Sequence, residues 1–140
     1  MNIQLDTNIV IDILEKREPF NKQALEFLTR AIENRHELSI TANSIDNIFY
    51  ILRTRFSPPQ IRFALNNLFE SVKITTVNEA MICMAIKAEW RDIEDCIQYY
   101  VAINSEIDLI ITRNQKDYEE NKIPILNPEE GLKWLRQVKE

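Results

Sequence analysis

The apolar positions of this chain change period again and again, and each change marks an element. Ile3 and Leu5 alternate with polar neighbours as in a strand and stop at Asp6. Ile9, Val10, Ile13 and Leu14 follow at helical spacing, with Thr7 or Asn8 placed to cap that helix. Pro19 opens a long helix to about Arg35, striped by Phe20, Ala24, Leu25, Phe27, Leu28, Ala31 and Ile32. Leu38, Ile40 and Ala42 alternate as a second strand. Asn43 or Ser44 then caps a helix from Ile45 to Arg55, whose apolar stripe leaves Asp46 in the first turn.

Ser57-Pro58-Pro59 breaks the chain before a helix carrying Ile61, Phe63, Ala64, Leu65, Leu68 and Phe69, for which Phe56, Phe63 and Phe69 read as core. Val72, Ile74 and Thr76 alternate as a strand, and the stretch from Ala80 to Trp90 returns to helix, with its methionines read as core fillers. Another helix begins near Asp92. Leu109 to Thr112 is a short unbroken apolar run, as in a strand covered on both faces. Ile123 and Ile125 flank Pro124 in a last strand, placed at an edge because proline cannot donate to the ladder. Asn127 caps the closing helix, with Pro128 in its first turn. Short strands alternating with helices predict an α/β fold: a short, mostly parallel central sheet flanked by helices.

Composition narrows the chemistry. At 140 residues the chain reads as one domain, residues 1–140. It has no membrane-length apolar run and no charged, greasy leader, which predicts a cytoplasmic protein with no membrane partner. A single glycine, Gly131, excludes Gly-rich phosphate loops and dinucleotide fingerprints. Cys83 and Cys96 lack metal-ligand spacing and read as buried small hydrophobes. His36, the one histidine, sits among charged residues and reads as a surface side chain, so histidine-dependent chemistry is discounted. The net charge of −5 has the wrong sign for gripping nucleic acid by bulk electrostatics. Acids gathered around a divalent cation escape that objection, because bound metal reverses the local sign.

Acids are what the remaining pattern supplies. Asp6 and Asp117 follow short apolar runs, Asp46 and Asp95 fall in first helical turns, and Asp92, Glu94 and Asp95 crowd three carboxylates into four residues. Each acid alone has a structural excuse, as a cap or as a partner of the helix dipole. A parallel α/β topology nevertheless brings the ends of these segments to one sheet edge. Carboxylates gathered without histidine or cysteine favour hard cations, and Mg2+ or Mn2+ holding a phosphate is the usual use.

The segments Leu5-Asp6-Thr7-Asn8, Ile93-Glu94-Asp95-Cys96-Ile97-Gln98 and Ile110-Ile111-Thr112-Arg113-Asn114-Gln115-Lys116-Asp117-Tyr118, with Asp46 between them and Asn127-Pro128-Glu129-Glu130 after, resemble the PIN-domain nucleases, especially the bacterial toxins of the VapC type. The resemblance spans essentially the whole chain. It implies a three-layer sandwich and a divalent-metal-dependent endoribonuclease, the toxin of a type II toxin-antitoxin pair. It assigns catalysis to Asp6, Asp46, Asp95 and Asp117, and metal binding to Asp6, Asp95 and Asp117, with Glu94 as an extra ligand. The implied cofactor is Mg2+ or Mn2+; the implied partners are RNA, a protein antitoxin and a second copy of the chain in a homodimer. Asp46 departs from the family, which most often has Glu there, and Asp92 reads as a cap.

Thr7, Asn8, Thr112, Arg113 and Asn114 are candidates for positioning substrate at the same edge; capping or strand-end bonding is the structural alternative for Thr7, Asn8 and Thr112, a solvated face is that for Arg113, and the resemblance implies that Asn114 orients a ligand or scaffold carboxylate. Arg53, Arg55, Arg62, Arg113 and Lys116 are candidate phosphate contacts. Two other functional readings stay open. One is a PIN-like RNA- or protein-binding module whose catalysis is weakened at Asp46. The other is phosphoryl transfer through an Asp6 nucleophile, as in haloacid-dehalogenase-like phosphatases, which usually carry a second Asp where this chain has Asn8.

Overall fold

A computed structural model describes residues 1–138 and contains a five-stranded, wholly parallel sheet. In chain order the elements are β1 (Asn2–Leu5), α1 (Thr7–Leu14), α2 (Phe20–Glu33), β2 (Glu37–Thr41), α3 (Ser44–Leu52), α4 (Pro58–Leu68), β3 (Val72–Thr75), α5 (Glu79–Ala88), α6 (Ile93–Ile103), β4 (Leu109–Ile111), β5 (Ile125–Leu126) and α7 (Pro128–Gln137). The sheet order is β3-β2-β1-β4-β5, so the α/β sandwich read from the sequence is the fold observed. Among the described residues no helix is long and apolar enough to cross a membrane.

Strand alternation divides the interior into two cores. Ile3, Leu5, Leu38, Ile40, Leu109 and Ile111 face one way and pack with apolar residues of α1, α2, α3, α4 and α7. Ile110 faces the other way, among Ala85, Trp90, Cys96, Tyr99, Ala102 and Tyr118. The two layers of helix follow from this division. Because both faces are covered, polar residues on the middle strands are buried too: Gln4, Ser39 and Thr41 are all inside. β3 and β5 are the edges, and Ile74 on β3 is exposed accordingly.

The central strands place the ends that matter. Chain order runs outward from β1 to β3, then returns across the sheet to β4, so the connectivity reverses between β1 and β4. Such a switch point opens a crevice beyond the carboxyl ends of the two strands. Leu5 pairs with Ile111 in the ladder, and the next backbone N–H, that of Asp6, donates to the Ile111 carbonyl at 2.9 Å. Asp6 and Thr112 thus leave the sheet side by side.

Several local expectations change. Asp6 occupies the N-cap position of α1, yet its side chain caps nothing, and neither Thr7 nor Asn8 takes over. The Thr7 hydroxyl donates instead to Ser44 Oγ at 2.9 Å, and Ser44 Oγ also meets Thr41 Oγ1 at 2.8 Å. Asn43 holds the N-cap position of α3, also without a side-chain bond. Thr7 and Ser44 therefore tie α1, β2 and α3 together.

His36 is buried rather than on the surface, with Nδ1 3.2 Å from the Met1 amino group and its ring against Trp134. Cys83 and Met84 are exposed, not core, because α5 turns Met81 and Ala85 inward. Phe63 is exposed as well, since α4 buries Ile61, Leu65 and Leu68. Cys96 is buried as expected.

Candidate active site

Asp6 stands at the centre of the crevice, 2% exposed, inside a shell of uncharged donors. Thr112 Oγ1 donates to its Oδ2 at 2.6 Å and the Tyr118 hydroxyl donates to the same oxygen at 3.2 Å. Gln98 Nε2 donates to Oδ1 at 3.2 Å and also reaches Thr7 Oγ1 at 3.4 Å. Burial pushes the Asp6 carboxyl above its ordinary range, and these hydrogen bonds pull the other way.

The first turn of α6 brings up the next acids. The Asp92 side chain caps that helix, accepting from the Asp95 backbone N–H at 3.0 Å. Asp95 is 6% exposed, and its carboxylate accepts no hydrogen bond among the described residues. Burial, then the negative charges of Asp6, Asp92, Asp117 and Glu94, push its pKa up to about 8. Glu94 is raised as well, by burial first and then by Asp6, although Asn47 Nδ2 donates to it at 2.9 Å. Asp117 lies in a short 3-10 turn, Gln115–Asp117, just beyond β4. One carboxylate oxygen from each of Asp92, Asp95 and Asp117 lies within 4.8 Å of the other two.

Five carboxylates therefore border one cleft, and among the described residues none of them is paired with a lysine or arginine. A hard divalent cation answers both features, supplying the missing positive charge and accepting oxygen ligands alone. The donor set fits such an ion.

The structure treats the sequence candidates unequally. Asp6, Glu94, Asp95 and Asp117 are brought together, and Asp92, expected only as a cap, joins them. Asp46 is exposed in the first turn of α3, without a hydrogen bond or ion pair among the described residues. Its neighbour Asn47 is the α3 residue that reaches the acids.

Thr112 contacts Asp6 directly and accepts from the Asn114 backbone N–H at 3.0 Å. Asn8 lies beside it, with its amide nitrogen 3.5 Å from Thr112 Oγ1 and its carbonyl oxygen accepting from the Arg113 N–H at 3.4 Å. The Arg113 guanidinium is engaged elsewhere, on Asp12 and over the Phe20 ring at 4.1 Å. Arg53 and Arg62 lie over Tyr50 and Phe49.

Sequence reasoning missed Gln98, Tyr118 and Asn47. The one signal Gln98 leaves in the sequence is a polar residue interrupting the apolar face of Cys96, Tyr99 and Ala102, which marks it as unusual without pointing to Asp6.

Fold and site together define a parallel α/β protein with an acidic cleft at the sheet's switch point. Residues 2–116 match the family model described as PIN domain, and the chain belongs to that family. Ribonuclease VapC1 of Aquifex aeolicus (strain VF5) is 25% identical over 134 residues, 90% of each chain. VapBC-1 from nontypeable Haemophilus influenzae superposes with a TM-score of 0.68 at 20% identity, over 92% of this chain and 99% of that one. Mycobacterium tuberculosis VapC20, a sarcin-ricin-loop-cleaving toxin, gives 0.62 at 14% identity, over 77% and 86%. The structural likenesses establish the fold.

Proposed function

We propose that the chain is a divalent-metal-dependent endoribonuclease and the toxin of a type II toxin-antitoxin pair. The observation that carries this is the convergence of Asp6, Asp92, Glu94, Asp95 and Asp117 on one cleft, with none of them ion-paired to a lysine or arginine among the described residues. The ribonuclease name of the Aquifex relative supports RNA as substrate, and a toxin-antitoxin complex from Klebsiella pneumoniae, similar with a TM-score of 0.65 at 22% identity over 90% of this chain and 97% of that one, supports an antitoxin as partner. We read residues 1–140 as one nuclease unit, acting in the cytoplasm as a homodimer.

Asp95 and Asp117 are the principal ligands for Mg2+ or Mn2+, with Asp92, Asp6 and Glu94 completing the acidic wall. When bound, the ion offsets charge on the phosphodiester oxygens and makes water a better nucleophile at neutral pH. Asp6 holds its orientation through Thr112, Tyr118 and Gln98. Glu94, raised in pKa and steadied by Asn47, is placed to take or give a proton at the cleft. Thr7, Asn8, Thr112 and Asn114 shape the wall against which substrate rests, while Arg113 anchors the loop that carries Asp117.

The test is cleavage of a structured RNA by purified protein with Mn2+ or Mg2+. Cleavage that chelation stops and Asp117→Asn abolishes is expected. Equal cleavage in chelator overturns the metal reading. The exposed Asp46 favours a second reading, a PIN-like binding module without catalysis; RNA binding with no cleavage in either metal supports it instead.

A further inference from the structure

Three side chains donate to Asp6, all of them neutral, and they are divided unequally between its two oxygens. Thr112 and Tyr118 both bond Oδ2, whereas Gln98 alone bonds Oδ1. A carboxylate oxygen has about two acceptor positions. Oδ2 is thus filled by the two hydroxyls. Neutral donors fix the rotation of the group without cancelling its charge, so its attraction for a cation survives.

The Tyr118 hydroxyl has Asp6 as its one side-chain partner among the described residues, while its ring packs edge-on to Trp90 with centroids 6.0 Å apart. The ring contact needs no hydroxyl; the Asp6 contact does. Tyr118 is also 8% exposed, so bulk water does not easily replace its donor.

We propose that Tyr118 is a positioning residue for Asp6, its hydroxyl filling the second acceptor position of Oδ2 so that the carboxylate is held in one rotation at the acidic cleft. This rests on reading the acidic cleft as a metal site. When the phenol is absent Thr112 alone holds Oδ2, and the carboxylate is left with a wider range of rotation.

The experiment is calorimetric titration of RNA-free protein with Mn2+, comparing wild type, Tyr118→Phe and Trp90→Phe, with the thermal midpoint of each and the RNA-cleavage kcat and KM over a range of Mn2+. Loss of a hydrogen bond to a charged group predicts Mn2+ binding about tenfold weaker in Tyr118→Phe. Its kcat recovers to within about twofold of wild type when Mn2+ is saturating, and KM for RNA is unchanged. Trp90→Phe loses thermal stability and keeps its Mn2+ affinity. Equal Mn2+ affinity in wild type and Tyr118→Phe overturns the inference while leaving the metal site standing, and equal weakening in both variants overturns it by making the effect one of ring packing. A wild type that binds no Mn2+ overturns the metal-site reading and this inference with it.

Discussion

Arg113 donates two hydrogen bonds to Asp12, from Nε at 2.6 Å and Nη2 at 3.1 Å, and the Asp12 side chain has no solvent exposure. The pair clamps the residue after Thr112 to α1, the helix that begins directly after Asp6. Removing one partner of a buried pair leaves the other charge unmatched. Because Arg113 keeps partial contact with water, the lower end of the usual range applies. Asp12→Ala is expected to cost about 3 kcal/mol in urea unfolding. A loss below about 1 kcal/mol contradicts the clamp.

The crowding of acids makes stability depend on pH in an unusual direction. Asp95 titrates near 8 in the folded protein against an ordinary value of 3.8, and Asp6 and Glu94 shift the same way. Between those values the folded state holds protons that the unfolded chain has released, so stability falls as pH rises. The metal-free protein should therefore have a lower urea midpoint at pH 8 than at pH 5. Asp95→Asn, which cannot ionise, should flatten that slope, and Mn2+ should reverse it in wild type. A wild-type midpoint that rises with pH across this window contradicts the electrostatics.

Gly131 tests the packing between α2 and α7. A Cβ there meets Ile111 Cδ1 at 2.7 Å and Phe27 Cε2 at 2.8 Å, and both side chains are fully buried. Alanine gains about 1 kcal/mol in helix propensity and loses roughly 1–3 to overpacking. Gly131→Ala is expected to be destabilising by about 1 kcal/mol, measured by thermal melting. A stabilised variant means Phe27 and Ile111 have room to move.

Asp46 and Glu94 compete for the fourth acidic role. Glu94 lies at the cleft with a raised pKa and an Asn47 contact, whereas Asp46 is exposed and has no hydrogen bond or ion pair among the described residues. Glu94→Gln should lower kcat at least tenfold and Asp46→Asn less than threefold, a difference of about 1 kcal/mol in barrier. The reverse order returns the role to Asp46.

The parts of this site that sequence exposes are those where a pattern ends. Asp6 ends the alternation of Ile3 and Leu5, Thr112 ends an apolar run, and Asp92 to Asp95 break a helical stripe at its start. Parallel topology then brings those ends together. Gln98 and Tyr118 end nothing; their contacts with Asp6 come from the angle of α6 and the turn after β4, which no local spacing encodes. Asp46 misled for the same reason. A first-turn acid on α3 has the right position in sequence, but the rotation of the helix points Asn47 at the acids instead. His36 was misjudged because the chain's first residue folds back to meet it.

Asp95 carries the central claim, since its charge is opposed by burial and by four neighbouring carboxylates. The most direct measurement is the Mn2+ dependence of RNA cleavage by wild type and Asp95→Asn, with folding checked by thermal melting. The account predicts that wild type cleaves only with the metal, and that Asp95→Asn stays folded, melts no lower than metal-free wild type at pH 8, and loses cleavage by at least a hundredfold. Full cleavage by a folded Asp95→Asn would contradict it.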